Sequence, residues 1–353
     1  MKAPPYRALR RFVINMADER TRWTITPTAV AQLRAALPPR DWELVQLTAP
    51  TSSIGDGRGA SEEALSAVAS AEVYAGFGFP RELLLAAAKG GKLRWVHTGS
   101  AGVRSLLYPE MLASDVVLTN SAGIHAHPMA ETVIALALHF ARGLDFAVQS
   151  QAQGVWDQSA FESTNSPIAE LQDLTLGILG YGGVGREVGR LAHVLGMRVL
   201  ATRRTAMTND PHAEVIVGDA PGLQRVMREP DIVVIAMPST AETRGMIGAR
   251  ELALMKPGAV LINVARGNIV VERDLIAVLE RGAIRGAGLD VFEHEPLPAA
   301  SPLWRLPNVL VLPHISGTTT RFWEREAELI VDNIGRYLQG LPLRNMVDKV
   351  RGY

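Results

Sequence analysis

The sequence predicts two α/β domains, each built on a doubly wound parallel sheet with helices on both faces. Three observations lead to this prediction. The chain has 353 residues, more than the roughly 250–300 at which a single hydrophobic core stops growing. Short apolar runs alternate with helix-like runs in two separate series, as in βαβ units. The runs of the second series are apolar almost throughout, which burial on both faces requires.

The first series predicts five strands and three helices. Two helices begin after a capping Thr26 or Ser61, and one is opened by Pro80. Glycine, serine and proline make 48–61 a loop. The predicted strands are 11–16, 42–49, 71–78, 93–100 and 116–120, and the predicted helices are 26–37, 61–70 and 80–91.

A predicted helix at 128–142 leads to the second series. The segment 149–170 is polar and without clear periodicity, so we expect an extended arm or a surface excursion there. A final helix at 321–340 follows the series, and its packing partner is left open. The predicted strands of the second series are 174–180, 198–203, 214–218, 232–238, 259–265, 286–292 and a further one before residue 314, with helices at 185–196 and 272–282 among them.

Composition restricts the possible classes of protein. The formal net charge is zero, so no basic surplus indicates nucleic acid or an anionic membrane surface. The longest apolar stretch, 132–141, is too short to span a bilayer. With no cysteine, disulfides, thiolate zinc sites and a cysteine nucleophile are excluded. We therefore expect a cytoplasmic protein with neither a nucleic-acid partner nor a membrane partner.

A glycine loop opens the second series. Residues 180–185 read GYGGVG and fit G-x-G-x-x-G between a predicted strand and a predicted helix. In this context the first glycine permits a tight turn, the second lets a pyrophosphate approach the backbone, and the third allows close packing of helix on strand. The helix N-terminus then faces the anion. The loop predicts a bound dinucleotide, with a purely structural turn as the alternative.

The next strand ends in Arg203 and Arg204, where dinucleotide-binding domains usually carry an acid for the ribose. Arginine at this place accommodates the 2′-phosphate of NADP, because a guanidinium matches phosphate geometry. The sequence therefore predicts NADP(H) as the preferred cofactor, with NAD(H) possible. The alternative is that both arginines are solvated and NAD binds without its acid.

Four ionisable residues lie at or just after the ends of predicted strands further along the chain. They are Arg266, Asp290, Glu295 and His314. The carboxyl ends of parallel strands form the ligand-binding edge of an open sheet. A guanidinium can clamp a substrate carboxylate, a histidine can exchange a proton near neutral pH, and a nearby carboxylate raises the histidine's pKa. This set predicts acid–base chemistry on a small carboxylic acid.

The ordered motifs, the glycine loop, then VARG, LDVFEHEPL and PHISG, resemble the D-isomer-specific 2-hydroxyacid dehydrogenase family. That family contains glyoxylate/hydroxypyruvate reductases and D-lactate dehydrogenases. The resemblance runs from about residue 93 to the end and is weakest in the first ninety residues. It implies a Rossmann dinucleotide-binding domain inserted into a flavodoxin-like substrate domain. The implied boundaries are 1–125 and 313–353 for the substrate domain and 126–312 for the NAD(P)-binding domain.

The resemblance also implies roles for individual residues. Arg266 would bind the substrate carboxylate and carbonyl, His314 would be the acid/base, and Glu295 would pair with His314. The backbone amides of Ala101, Gly102 and Val103 would hold the carboxylate. The implied cofactor-binding residues are Gly180, Tyr181, Gly182, Gly183, Val184, Gly185, Arg203, Arg204, Met237, Pro238, Thr243, Val264, Ala265, Arg266, Asp290, His314 and Gly317.

Other residues receive a weaker assignment. By the resemblance, Asn120 and Glu131 lie on the segment leading into the cofactor domain, and the arm after Arg142 forms a homodimer. Glu293 competes with Glu295 as the partner of the histidine. His125 and His127 form an H-x-H pair without a matching third ligand, so no metal site is expected. His97, His139, His193 and His212 are expected to be structural or solvated.

The implied reaction is hydride transfer between NADPH and a small 2-oxo acid such as glyoxylate or hydroxypyruvate, giving the D-2-hydroxy acid. Formate dehydrogenase is a relative that pairs its histidine with glutamine, so Glu295 argues against it. Phosphite oxidation by another relative stays open. A dinucleotide-sensing interaction protein of the corepressor type is the alternative from another class.

Overall fold

The computed structural model describes residues 8–49, 60–162, 166, 168–205 and 207–352. The predicted loop 48–61 falls mostly outside these residues. The chain forms two compact units: residues 1–124 with 320–353 make unit 1, and residues 125–319 make unit 2. The described part contains twelve strands and twelve α-helices.

The strands in chain order are β1 Arg10–Asn15, β2 Trp42–Gln46, β3 Val73–Gly76, β4 Trp95–Thr98, β5 Val117–Asn120, β6 Thr175–Leu179, β7 Arg198–Arg203, β8 Glu214–Val217, β9 Ile232–Ile235, β10 Val260–Asn263, β11 Gly286–Leu289 and β12 Val309–Val311. The helices are α1 Pro27–Ala36, α2 Glu62–Val68, α3 Arg81–Gly90, α4 Pro109–Ala113, α5 Ala126–Ala141, α6 Leu144–Gln153, α7 Ser159–Glu162, α8 Gly183–Val194, α9 Ala220–Arg228, α10 Ala249–Leu252, α11 Glu272–Glu280 and α12 Phe322–Leu338.

Unit 1 is a five-stranded parallel sheet in the order β2-β1-β3-β4-β5. This is the flavodoxin-like order 2-1-3-4-5. Thr26 and Ser61 cap α1 and α2 through side-chain oxygens, as the sequence predicts. At the edge of the sheet, Thr119 of β5 bridges Met346 in an antiparallel pair, so residues near the C-terminus cover that edge.

The final helix α12 packs in unit 1. Its aromatic residues pack edge-on against rings from the first part of the chain, with ring centroids 5.2 Å apart for Trp23 and Phe322 and 6.0 Å apart for Phe77 and Trp323. The core of unit 1 therefore combines two distant stretches of sequence.

Unit 2 is a seven-stranded parallel sheet in the order β12-β11-β10-β9-β6-β7-β8. Counted from β6, six of its strands follow the order 3-2-1-4-5-6 of the Rossmann fold, and β12 adds a seventh. The strand order reverses between β6 and β9, where such sheets bind dinucleotides. The prediction of two doubly wound parallel sheets is confirmed.

The predicted arm at 149–170 is partly wrong. Its first residues belong to helix α6, bracketed by Gly143 and Gly154 with φ of 64° and 67°. Asp145 of α6 is buried and pairs with Arg285, with 3.0 Å between Oδ1 and Nη2. A tertiary ion pair therefore anchors a helix that has no apolar periodicity of its own.

The second crossing between the units lies at residues 319/320, whereas the sequence placed it at 312/313. The intervening loop is bound to unit 2 by hydrogen bonds. His125 Nδ1 lies 2.9 Å from the carbonyl oxygen of Gly317, and the hydroxyl of Thr132 donates to the Ser316 carbonyl. Across the described residues, no helix is long and apolar enough to cross a membrane.

Candidate active site

The glycine loop joins β6 to α8 at the point where the strand order reverses. Gly180 has a φ of 101°, and a Cβ there would lie 2.6 Å from the backbone of Met237. A Cβ on Gly185 would lie 2.3 Å from the carbonyl oxygen of Gly180. A Cβ on Gly182, by contrast, would meet nothing within 4 Å. The loop therefore packs tightly at its first and third glycines and leaves open space at the second, as a pyrophosphate requires.

Two arginines converge on one sulfur atom beside the end of β7. Met207 Sδ lies 2.8 Å from Nη1 of Arg203 and 3.3 Å from Nη2 of Arg186 on α8. Both arginines are exposed, and no carboxylate among the described residues pairs with either. Arg204 follows Arg203 directly and is also exposed. Like charges held this close favour an anion between them.

Arg266 follows β10, and its backbone is fixed by two neighbours. The side-chain amide nitrogen of Asn263 donates to the Arg266 carbonyl oxygen over 3.2 Å, and Oδ1 of the same side chain accepts from the Ala265 amide. A Cβ on Gly267 would lie 1.9 Å from the backbone of Phe292, so only glycine permits this approach. The loop of Arg266 is thus held against the loop that carries Glu295.

Glu295 and His314 form a hydrogen-bonded pair. His314 Nδ1 lies 2.7 Å from Oε2 of Glu295, and Oε1 of the same carboxylate accepts from the Phe292 amide over 3.0 Å. The His314 side chain is 50% exposed and that of Glu295 is 35% exposed. Because Nδ1 is occupied, Nε2 is the ring nitrogen that remains for a substrate.

The pairing shifts the pKa of His314 and the pKa of Glu295 in opposite directions. The hydrogen bond from Glu295 raises the pKa of His314, against the opposing effects of burial and of the Arg266 charge. Burial alone would raise the pKa of Glu295, yet His314, the Phe292 amide and Arg266 hold it below its usual range. Both charged forms are therefore favoured, and Arg266 acts electrostatically on both residues.

Asp290 fixes the backbone directly after His314. His314 has a φ of 54°, unusual for a residue with a side chain. The buried Asp290 carboxylate accepts from the amides of Ile315 and Ser316 over 2.7 and 3.0 Å and from the Ser316 hydroxyl. Burial raises the pKa of Asp290, and these hydrogen bonds oppose the rise. Asp290 thus supports the turn that presents the histidine.

Glu293, the competing carboxylate, has another partner. Its Oε1 accepts from the backbone amide of Glu272 at the start of α11, over 3.1 Å. The Glu293 amide in turn donates to a Glu272 carboxylate oxygen over 3.0 Å. The exchange caps α11, so the structure pairs Glu295 and not Glu293 with the histidine.

The remaining sequence-predicted residues lie in both units. Ala101, Gly102 and Val103 follow β4 in unit 1, where the Asn120 side chain donates to the Ala101 carbonyl oxygen over 2.8 Å. Other predicted cofactor residues follow β9 and β10 in unit 2, or lie near His125: Met237, Pro238, Thr243, Val264, Ala265 and Gly317.

The two histidines of the H-x-H pair have separate partners. His127 lies between two carboxylates, 3.0 Å from Glu131 and 2.8 Å from Glu187, while His125 contacts Gly317. The described residues contain no group of three or more histidines and carboxylates able to hold a metal ion.

Three residues that contribute to the site were not predicted from the sequence. Arg186 contacts Met207, Asn263 bonds the backbone of Arg266, and Gly267 permits the close approach of Phe292. Asn263 and Gly267 flank Arg266 in the NVARG segment, which was a signal that could have been used. Nothing in the sequence indicated that Arg186 would share Met207 with Arg203.

The chain is similar in sequence to a known family and to known proteins. A family model described as "D-isomer specific 2-hydroxyacid dehydrogenase, NAD binding domain" matches residues 134–316. A glyoxylate reductase of Thermococcus gammatolerans is 36% identical over 261 residues, covering 73% of this chain and 77% of the relative.

Solved structures match almost the whole chain. A D-isomer specific 2-hydroxyacid dehydrogenase of Xanthobacter autotrophicus in complex with NADPH and MES has a TM-score of 0.78 and 30% identity, covering 98% of this chain and 100% of that one. An NADPH-dependent glyoxylate/hydroxypyruvate reductase of Sinorhizobium meliloti, with NADP and sulfate, has a TM-score of 0.73 and 26% identity, with coverages of 98% and 100%.

Proposed function

Because the chain belongs to the D-isomer-specific 2-hydroxyacid dehydrogenase family of NAD(P)-dependent oxidoreductases, we propose that it reduces a small 2-oxo acid to the D-2-hydroxy acid with NADPH. Glyoxylate and hydroxypyruvate are the proposed substrates. The hydrogen bond between His314 and Glu295, beside Arg266, is the observation that carries the proposal. It gives a proton donor with a raised pKa next to a group that can bind a carboxylate.

The roles of the three side chains follow from their chemistry. Protonated His314 would donate from Nε2 to the oxygen of the substrate carbonyl as that oxygen gains negative charge. Glu295 would keep the imidazole protonated and oriented through Nδ1. Arg266 would bind the substrate carboxylate and polarise the carbonyl, since a guanidinium presents paired donors. The amides of Ala101, Gly102 and Val103 would add donors to the carboxylate.

The glycine loop, Arg203 and Arg204 would hold the cofactor. NADPH supplies the hydride in this reaction. The N-terminus of α8 and the open space at Gly182 fit a pyrophosphate. We propose that Arg186 joins Arg203 on the 2′-phosphate, because both guanidinium groups contact Met207 and neither has a carboxylate partner in the described chain. The proposal includes a preference for NADPH over NADH.

The test is an absorbance assay of NADPH and NADH oxidation with a panel of 2-oxo acids. We expect turnover with glyoxylate or hydroxypyruvate and a higher kcat/KM with NADPH. His314→Gln should bind NADPH as the wild type does and lose about 10²–10⁴ in turnover, the usual contribution of a positioned acid. Turnover within a few-fold of wild type would remove His314 from the proposed role. Activity on formate or phosphite alone, or on nothing, would favour the alternatives.

We also propose a homodimer formed through the segment that includes α6. Leu144, Val148, Val155 and Trp156 are exposed there, Trp156 to 90%. An exposed apolar cluster of this kind is typical of an interface. Sedimentation velocity at micromolar concentration should give a dimer, and a monomer would contradict the proposal. The cytoplasmic location expected from the sequence stays a prediction.

A further inference from the structure

A buried hydrogen-bond chain in unit 1 links α12 to the end of β5. Glu326 is the one charged side chain on the buried face of α12, and it is 1% exposed. Its Oε1 lies 2.9 Å from Nε2 of His97, and its Oε2 accepts from the Ser121 hydroxyl over 2.8 Å. Both carboxylate oxygens therefore have partners on the first part of the chain.

The chain of hydrogen bonds continues on the far side of the His97 imidazole. His97 Nδ1 lies 2.9 Å from the Thr119 hydroxyl, which accepts from the indole N–H of Trp95 over 2.8 Å. All these side chains are buried. Burying polar groups is costly unless each is hydrogen-bonded, and a fully bonded network is correspondingly rigid. Ser121 is thereby held at a fixed position.

The segment held in this way bonds directly to the loop after β4. The Ser121 amide donates to the Ser100 carbonyl oxygen over 3.2 Å. The Asn120 side chain donates to the Ala101 carbonyl oxygen over 2.8 Å. A peptide unit is planar, so fixing a carbonyl also fixes the N–H of the following residue. These two bonds therefore set the directions of the Ala101 and Gly102 amides.

The amides of Ala101 and Gly102 are available to a ligand. Both residues are exposed, and within the described part of the chain neither amide donates to another protein group. We propose that Glu326 is a positioning residue for the substrate. Through Ser121, it holds the peptide planes whose amides bind the substrate carboxylate. This inference rests on the proposed function, which brings a 2-oxo acid to that loop.

Two variants of Glu326 separate positioning from a simple loss of packing. In Glu326→Gln, the amide oxygen can still accept from His97 and the amide nitrogen can donate to the Ser121 hydroxyl. That hydroxyl can then donate to the Thr98 carbonyl oxygen, 2.9 Å away. Glu326→Met keeps the side-chain length and removes both bonds. In Glu326→Met we expect KM for glyoxylate to rise about tenfold, which is the loss expected for a hydrogen bond. In Glu326→Gln we expect KM for glyoxylate to stay near the wild-type value. KM for NADPH should be unchanged in both variants.

A second measurement needs no substrate. Backbone hydrogen exchange of the Ser121 amide, which donates to the Ser100 carbonyl oxygen, should be faster in Glu326→Met than in wild type and unchanged in Glu326→Gln. Glu328→Met, on the exposed face of α12, is the matched control and should alter neither exchange nor KM. If Glu326→Met does not fold, Ser121→Ala breaks the same chain at one link and should raise KM for glyoxylate in the same way.

Two results would overturn the inference. One is an unchanged KM for glyoxylate and unchanged exchange of the amide at position 121 in a folded Glu326→Met or Ser121→Ala protein. The other is an equal loss in Glu326→Gln and Glu326→Met. If the wild type reduces no 2-oxo acid, the proposed function fails, while the exchange data still show whether Glu326 orders this loop.

Discussion

At the scale of the residue, two carboxylates two positions apart serve different partners. Glu293 caps α11 through the Glu272 amide, while Glu295 reaches His314. The sequence motif indicated a carboxylate for the histidine but left Glu293 open as a rival. The choice depends on how the loop after β11 folds back toward α11, which is not readable from spacing alone.

The Glu295–His314 pair predicts the pH dependence of reduction. The pKa of His314 is raised by Glu295, and reduction needs the protonated imidazole, so activity persists to higher pH than for an unpaired histidine. Glu295→Gln removes the negative charge and lowers the pKa of His314. The alkaline limb of kcat/KM for the 2-oxo acid should therefore move to lower pH.

Glu293→Gln is the matched control, because it changes a neighbouring carboxylate that does not contact the histidine. Its pH profile should match that of the wild type. A limb that moves with Glu293→Gln and not with Glu295→Gln would show that the wrong carboxylate has been paired with His314.

The need for glycine can be predicted from the sequence at some positions and not at others. The requirement at Gly180 and Gly185 follows from a known loop pattern and could be predicted. The requirement at Gly267 comes from the backbone of Phe292, 25 positions further on, so it appears only once the two loops are placed together.

At the scale of the element, β7 and α8 bring two arginines together that are 17 positions apart. We expect the Arg186–Arg203 pair to act as one anion site. Charge-assisted hydrogen bonds contribute roughly 1.5–3 kcal/mol each. Arg186→Ala and Arg203→Ala should therefore each weaken NADPH binding about ten- to a hundredfold and leave NADH binding nearly unchanged, as measured by fluorescence titration.

Arg198→Ala is the control for that titration. Arg198 begins the same strand at its other end and pairs with Glu214 and Glu229, so it should alter neither affinity. Equal losses for NADPH and NADH in Arg186→Ala would mean that this arginine supports the loop itself and does not bind the 2′-phosphate.

Helix α6 depends on one buried ion pair. Arg285 bonds both Asp145 and the Phe140 carbonyl oxygen and lies over the Phe146 ring, 5.0 Å from its centroid. Removing one partner of a buried pair leaves the other charge unmatched, at a cost of about 3–5 kcal/mol. Asp145→Ala should lower the free energy of unfolding in urea by about that amount. Gln151→Ala, which replaces an exposed residue of the same helix, should change it by less than about 0.5 kcal/mol.

A free energy unchanged by Asp145→Ala would show that α6 is held by other contacts. The same ion pair explains why the sequence predicted the regular strands well and this helix poorly. Local apolar runs in the sequence predict strands β6 to β11, whereas α6 is stabilised by a residue 140 positions away.

At the scale of the whole molecule, unit 2 is one continuous stretch of chain and unit 1 is two. The alternating runs were sufficient to predict two parallel sheets. The return of α12 to unit 1 came only from the family resemblance, because periodicity shows that a helix has an apolar face but not what covers it.

This division predicts the effect of shortening the chain. A protein ending at Thr319 lacks Phe322, Trp323 and Ile330, which are part of the unit 1 core. Unit 1 should lose its cooperative unfolding transition, followed by tryptophan fluorescence, while NADPH binding to unit 2 stays within a few-fold of wild type. A protein ending at Asp348 should retain both properties.

Loss of NADPH binding in the shorter protein would contradict the independence of unit 2. A cooperative transition that survives without α12 would contradict the role assigned to this helix in the core of unit 1.

The antiparallel pairing of Met346 with Thr119 of β5 affects the order in which the two units fold during synthesis. The ribosome makes Thr119 long before Met346, and all of unit 2 is translated in between. At about 5–20 residues per second, the nascent chain carries an open strand edge and an uncovered aromatic face for on the order of tens of seconds. Unit 2 can finish folding during that interval, but the part of unit 1 that precedes it in the sequence cannot. The part of unit 1 that precedes unit 2 in the sequence is therefore among the last to mature, and it is where a chaperone would be expected to bind.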